Sequence, residues 1–181
     1  MKLKPIIKNK KGQSIFDIII FMVIVFLLVI GFVLFKFVFN TVSNRMASIQ
    51  TPANSPINIT DISDKTFGLM NIGFNQLNLI GLVIIFGMII NIFVSNFMVK
   101  SHPAFFFIYI GITFLAVILS VFLSNSFEAL MSNSALSSTF ADFPALVYVM
   151  LYLPIWVTVI GFMGALFLYI GITRDEGTGG F

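Results

Sequence analysis

The chain has 181 residues, of which 59% are hydrophobic and 9% charged. A soluble domain carries about 25% charged residues, so there is too little charge here to solvate the surface of a core of this size, and an ordinary soluble domain, a disordered chain and a nucleic-acid-binding module are excluded. The chain has no cysteine, which removes disulfides, thiolate metal sites and a cysteine nucleophile together.

A bilayer core of about 30 Å needs a helix of about 20 mostly apolar residues. Four stretches meet that requirement. The first, 15–39, is interrupted only by Asp17, Gly31 and Lys36. The others, 77–99, 103–123 and 144–170, contain no charged residue. Backbone groups in lipid must be satisfied inside their own segment, so helices are expected. The alternating pattern of a membrane β-barrel is absent. The predicted fold is an all-α integral membrane protein, a single membrane domain with four transmembrane helices and polar loops at 40–76 and 124–143.

Four spans put both termini on one side, together with the loop between the second and third spans. That side carries Lys2, Lys4, Lys8, Lys10, Lys11, Lys100 and Arg174. The other carries Arg45 and Lys65, with Lys36 at the end of the first span expected to snorkel there. Basic residues near spans set orientation, so both termini are expected on the cytoplasmic-type side. The leader lysines Lys2, Lys4, Lys8, Lys10 and Lys11 suit contact with anionic lipid, at about 1 kcal/mol per basic residue near the surface.

In the 40–76 loop, Val42, Met46 and Ile49 share a helical face, which predicts that the first helix runs on past the membrane. Thr51-Pro52-Ala53-Asn54-Ser55-Pro56 reads as irregular chain. Asp61 or Ser63 is a candidate cap for a helix leading into the second span. Between the second and third spans, Lys100-Ser101-His102-Pro103 predicts a tight hairpin, with Pro103 in the first turn of the next helix. In 124–143, Phe127, Leu130 and Met131 form a short apolar face, read as a helical extension or an interfacial helix. Pro154 predicts a kink in the fourth helix. Tyr148, Tyr152 and Trp156, spaced i, i+4, i+8, form an aromatic stripe expected to anchor at an interface.

Polar and small residues recur at helical spacing within the spans. Gly87, Asn91 and Ser95 do so in the second, Tyr109, Thr113, Ala116 and Ser120 in the third. In the fourth, Thr158, Gly161, Ala165 and Leu168 share a face, with Gly164 alongside. Small residues let helix backbones approach, and polar side chains bond across helices. The expectation is a packed bundle or an oligomer seam; the other reading of these residues is a pore lining. Asp17 and Lys36 are the only charges in the spans. At 1.5 Å per residue they lie roughly 28 Å apart along the helix, which suits anchors at opposite interfaces, with Asp17 meeting the leader lysines. Histidine occurs once, at His102, so no metal set is expected. No nucleophile and base stand at a recognisable spacing. No catalytic residue, cofactor or specific nucleic-acid recognition is expected.

Two local resemblances enter here. Lys10-Lys11-Gly12-Gln13-Ser14 followed by Asp17 resembles the leader of type IV pilin-like proteins. On that match Gly12 precedes the cleaved bond and Asp17 holds the acidic position; the chain departs from the family in having Asp for Glu and three further spans. Separately, His102-Pro103-Ala104-Phe105-Phe106 leading to the 119–128 segment, which ends Ser124-Asn125-Ser126-Phe127-Glu128, resembles small multispanning proteins of viruses that enclose a membrane inside an icosahedral capsid. That resemblance implies a structural protein of a virion internal membrane, without enzymatic activity, tying the bilayer to a capsid or to neighbouring copies. The alternatives are a small holin-like pore and a subunit of an archaeal or bacterial membrane complex. Expected partners are the bilayer, other membrane or capsid proteins, and like or unlike subunits of an oligomer.

Overall fold

The computed structural model describes residues 13–48, 59–98 and 104–176. These form α1 (Gln13–Ala47), α2 (Ile59–Met98), α3 (Ala104–Met131), α4 (Ser137–Phe140), α5 (Pro144–Leu151) and α6 (Leu153–Glu176), with no strand among the described residues. Four helices are long and apolar enough to cross a membrane: Phe16–Met46, Lys65–Phe97, Ala104–Met131 and Leu153–Gly171. Large apolar side chains such as Leu27, Val83, Phe114 and Phe162 are 61–67% exposed on these helices. In water such a surface would drive aggregation; in a bilayer it faces its own solvent. This is the architecture of an integral membrane protein.

Two polar loops are shorter than read, through the helical extensions expected into them, and one span is divided. Most of the predicted 40–76 loop is helical, because α1 runs to Ala47 and α2 starts at Ile59. The predicted 124–143 loop begins as the last turns of α3, which reaches Met131. The fourth span is not one kinked helix over 144–170. It breaks at Tyr152, whose amide still bonds the Tyr148 carbonyl at 3.1 Å, and Pro154 sits in the first turn of α6. A proline ring collides with the carbonyl four residues earlier in a continuous helix, and restarting the helix at Leu153 removes that collision. The break leaves carbonyls of α5 without helical donors. The Ser124 hydroxyl donates to one of them, the Leu151 carbonyl, at 2.8 Å. The Thr51–Pro56 segment, the predicted hairpin at 100–103 and the leader lysines lie outside the described residues.

The chain divides into two compact units. One comprises residues up to Ile24, Phe86–Phe122 and Leu153 onward. Its buried faces follow the helical period: Ile18, Phe21 and Met22 on α1; Ile92 and Asn96 on α2; Tyr109, Ala116 and Ser120 on α3; Leu153, Val157, Ile160 and Leu168 on α6. The other comprises Val25–Ile85 and Leu123–Tyr152. Its core holds Val25, Val29 and Val33 of α1, Phe74 and Ile85 of α2, Phe127 of α3, and Phe140, Phe143, Leu146 and Met150 from the α4–α5 segment. Phe127 meets Phe140 edge-on with ring centroids 5.3 Å apart, which holds the end of α3 against α4.

Candidate functional site

Along α1 the buried positions Val29, Val33 and Lys36 are spaced i, i+4, i+7. That spacing keeps one face inward, so Lys36 falls where the helix packs. It is 3% exposed and does not snorkel outward as an interfacial anchor. Its ammonium lies 3.0 Å from the Asp142 carboxylate and donates to Asn75 Oδ1 at 3.3 Å. It also stands over the Phe143 ring, 5.6 Å from the centroid, inside the range of a cation–π contact. An ionisable residue in a spanning helix is costly and normally marks a function. Here the charge is met by an anion, an amide oxygen and a ring face, which come from α2 and from the α4–α5 junction.

The same junction is docked on α2 by two further features. The N-cap residue of α5, Phe143, makes no side-chain cap, and Pro144 has no amide to offer. Asn78 of α2 supplies the missing acceptor: its Oδ1 takes the Leu146 amide at 3.3 Å, serving as a cap delivered from another helix. One turn further along α2, Gly81 lies under Leu146. A Cβ there would stand 2.8 and 2.9 Å from the Leu146 methyls and 3.3 Å from the Phe32 ring, so a larger residue would force the Leu146 side chain to shift. Lys36, Asn75, Asn78, Gly81, Asp142 and Leu146 together fasten the 137–151 segment to two spanning helices. Chemically the cluster is a fastener with one buried cation. Among the described residues no group of three His, Cys, Asp or Glu side chains is placed to hold a metal ion.

On this segment Tyr148 and Tyr152 are exposed, and their rings meet at a tilt with centroids 4.5 Å apart. Beside them is a groove of about 410 Å³ lined by Phe140, Pro144, Val147, Tyr148 and Leu151 among others. Trp156 is half-buried on α6, beyond the helix break, so the i+8 spacing from Tyr148 does not run along one helix.

The helix-packing residues fall into two groups. Tyr109, Ser120, Gly161 and Gly164 are buried, and Thr113 and Ala165 are half-buried. The Ser120 hydroxyl is satisfied locally by the Val117 carbonyl at 2.6 Å. The Tyr109 hydroxyl accepts from Asn96 Nδ2 at 3.1 Å, joining α2 to α3. Gly164 leaves room for that pair, since a Cβ there would come within 2.6 Å of the Asn96 amide nitrogen. By contrast Gly87, Asn91 and Thr158 are exposed and Ser95 half-buried. The inward face of α2 in this unit runs through Ile92 and Asn96, and at about 3.6 residues per turn Gly87 and Asn91 point well away from it. Thr158 turns its hydroxyl back to the Pro154 carbonyl at 2.7 Å. Asp17 is half-exposed, and its expected partners Lys10 and Lys11 lie outside the described residues. An apolar groove of about 570 Å³ opens between α3 and α6, lined by Phe106, Ile110, Phe114, Phe162 and Tyr169 among others.

The residues that sequence reasoning missed are Asn75, Asn78, Gly81, Asn96, Ser124 and Asp142. A search with protein-family models, and searches of curated proteins and of solved structures, find no match for this chain.

Proposed function

We propose that the chain is a structural subunit of a membrane, without catalytic activity, that presents its 137–151 segment as a fixed platform for a neighbouring protein. What supports the reading is the Lys36–Asp142 clasp: the buried cation is spent on holding that segment to α1 and α2. A permeation path or relay needs charges and polar rings open to water, whereas this cation is enclosed by a partner and a ring. The viral resemblance extends the proposal to the internal membrane of a virion, the platform then facing a capsid shell or adjacent copies.

Reconstitution of the full chain into liposomes loaded with a self-quenched dye tests the reading. The expected result is retention of dye and no discrete current at low protein density. Dye release or a defined single-channel current would overturn it in favour of the holin-like pore.

A further inference from the structure

We infer that the exposed face of α2 carrying Gly87, Ile90, Asn91 and Val94 packs against the same face of a second copy of this chain, with the two Asn91 amides hydrogen-bonded to each other. Asn91 is the residue that demands a partner. It lies seven residues before the end of α2 at Met98, or about 10 Å at the helical rise, and within the span Lys65–Phe97. It is exposed and makes no hydrogen bond among the described residues, whereas Asn96, five residues on, bonds Tyr109. Acyl chains offer neither donor nor acceptor, and the helix has used its own backbone groups. A side-chain amide therefore sits in hydrocarbon with both functions unmet.

A carboxamide carries one acceptor oxygen and two N–H donors, so it is its own complement. A two-fold axis brings identical residues opposite one another, and an Asn91 pair then satisfies donor and acceptor on each side. The surroundings fit that occupant. Gly87 is exposed one turn earlier, and a Cβ there would meet nothing within 4 Å, so the backbone is bare where a second helix must come close. Ile90 and Val94 are 60% and 46% exposed on the same side. The steps from Gly87 to Asn91 to Val94 are four and three residues, the spacing of a helix-pair seam in which a single polar position sets the register.

The native chain lacks cysteine, so one introduced thiol reports the contact. Full-length Val94→Cys in proteoliposomes, treated with a mild oxidant, is expected to form a disulfide-linked dimer. Phe107→Cys, 73% exposed on α3, serves as the collision control and is expected to remain largely monomeric. In a fluorescence energy-transfer titration, Asn91→Leu is expected to weaken self-association about tenfold, or about 1.4 kcal/mol, and Asn91→Gln to retain most of it. Equal cross-linking of Val94→Cys and Phe107→Cys would overturn the inference, as would an unchanged association constant in Asn91→Leu. Circular dichroism monitors folding of that variant, and the Val94→Cys arm, with Asn91 intact, decides the matter even if it fails to fold.

Discussion

Lys36 is 3% exposed, and replacing Asp142 by alanine strands its ammonium with Asn75 and the Phe143 ring still beside it. Replacing Lys36 by methionine instead leaves a carboxylate whose side chain is 40% exposed and can take up water. The two ends of one ion pair should therefore respond unequally. Stranding a buried charge costs about 3–5 kcal/mol, and the lower end, about 3 kcal/mol, applies here because water reaches the Asp142 side of the pair. Lys36→Met keeps the aliphatic stem and loses a charge-assisted bond, about 1.5 kcal/mol at the low end of the range, since the freed carboxylate is hydrated. The double variant should be milder than Asp142→Ala alone, since the stranded cation has gone, giving a coupling of at least about 1.5 kcal/mol. Equilibrium unfolding in mixed micelles, followed by circular dichroism, measures all four corners of the cycle. A local reporter accompanies it: Thr139→Cys, 3% exposed in α4, should become accessible to maleimide in Asp142→Ala well before global unfolding. The reasoning is refuted if Lys36→Met costs as much as Asp142→Ala, or if the double variant is no milder than the latter.

Gly81→Ala should destabilise the chain by about 1–3 kcal/mol through overpacking against Leu146, and Leu146→Val should recover part of that loss in the same unfolding assay. Single cysteines introduced at Lys10 and Ser55 should label with an impermeant reagent from opposite sides of the membrane; equal labelling of both from one side would refute the proposed placement of the termini.

Span number and the inward face of α3 were legible because each rests on a repeated local signal. Length and charge-free runs mark spans, and Tyr109, Thr113, Ala116 and Ser120 repeat at helical spacing. The face of α2 was not legible. Nearly every residue from 77 to 99 is apolar, so hydropathy does not say which side is buried, and the helix offers two polar stripes. One runs through Gly87 and Asn91, the other through Asn78, Gly81 and Asn96. Lipid accepts the apolar residues of either, and only tertiary contact chose the second. Lys36 was misread for a related reason. Near the end of a span a lysine normally reaches for headgroups, yet it repeats the Val29–Val33 face, and that register was present in the sequence. Its partner Asp142 lies 106 residues away in a segment read as loop, a pairing that no local pattern encodes. The helix break was half legible: Pro154 marked it, while the donor that offsets it, Ser124, comes from another helix.

The paired ends of α1 and α2 have a mechanical consequence. Phe39 packs at a tilt on both Phe67 and Phe74, with centroids 5.3 and 4.4 Å apart, and Phe35 meets Phe74 at 5.3 Å. From Phe39, α1 continues eight residues to Ala47, and α2 begins eight residues before Phe67, at Ile59. Both arms thus extend about 12 Å past the Phe39–Phe67 contact at the helical rise. Two helices locked by rings at their base resist bending more than a single one, so the facing helix ends, Ala47 and Ile59, are carried at a set standoff. A ligand gripping those helix ends would be spaced from the lock by a distance counted in residues, adjustable in steps of about 5.4 Å for each helical turn inserted in both arms.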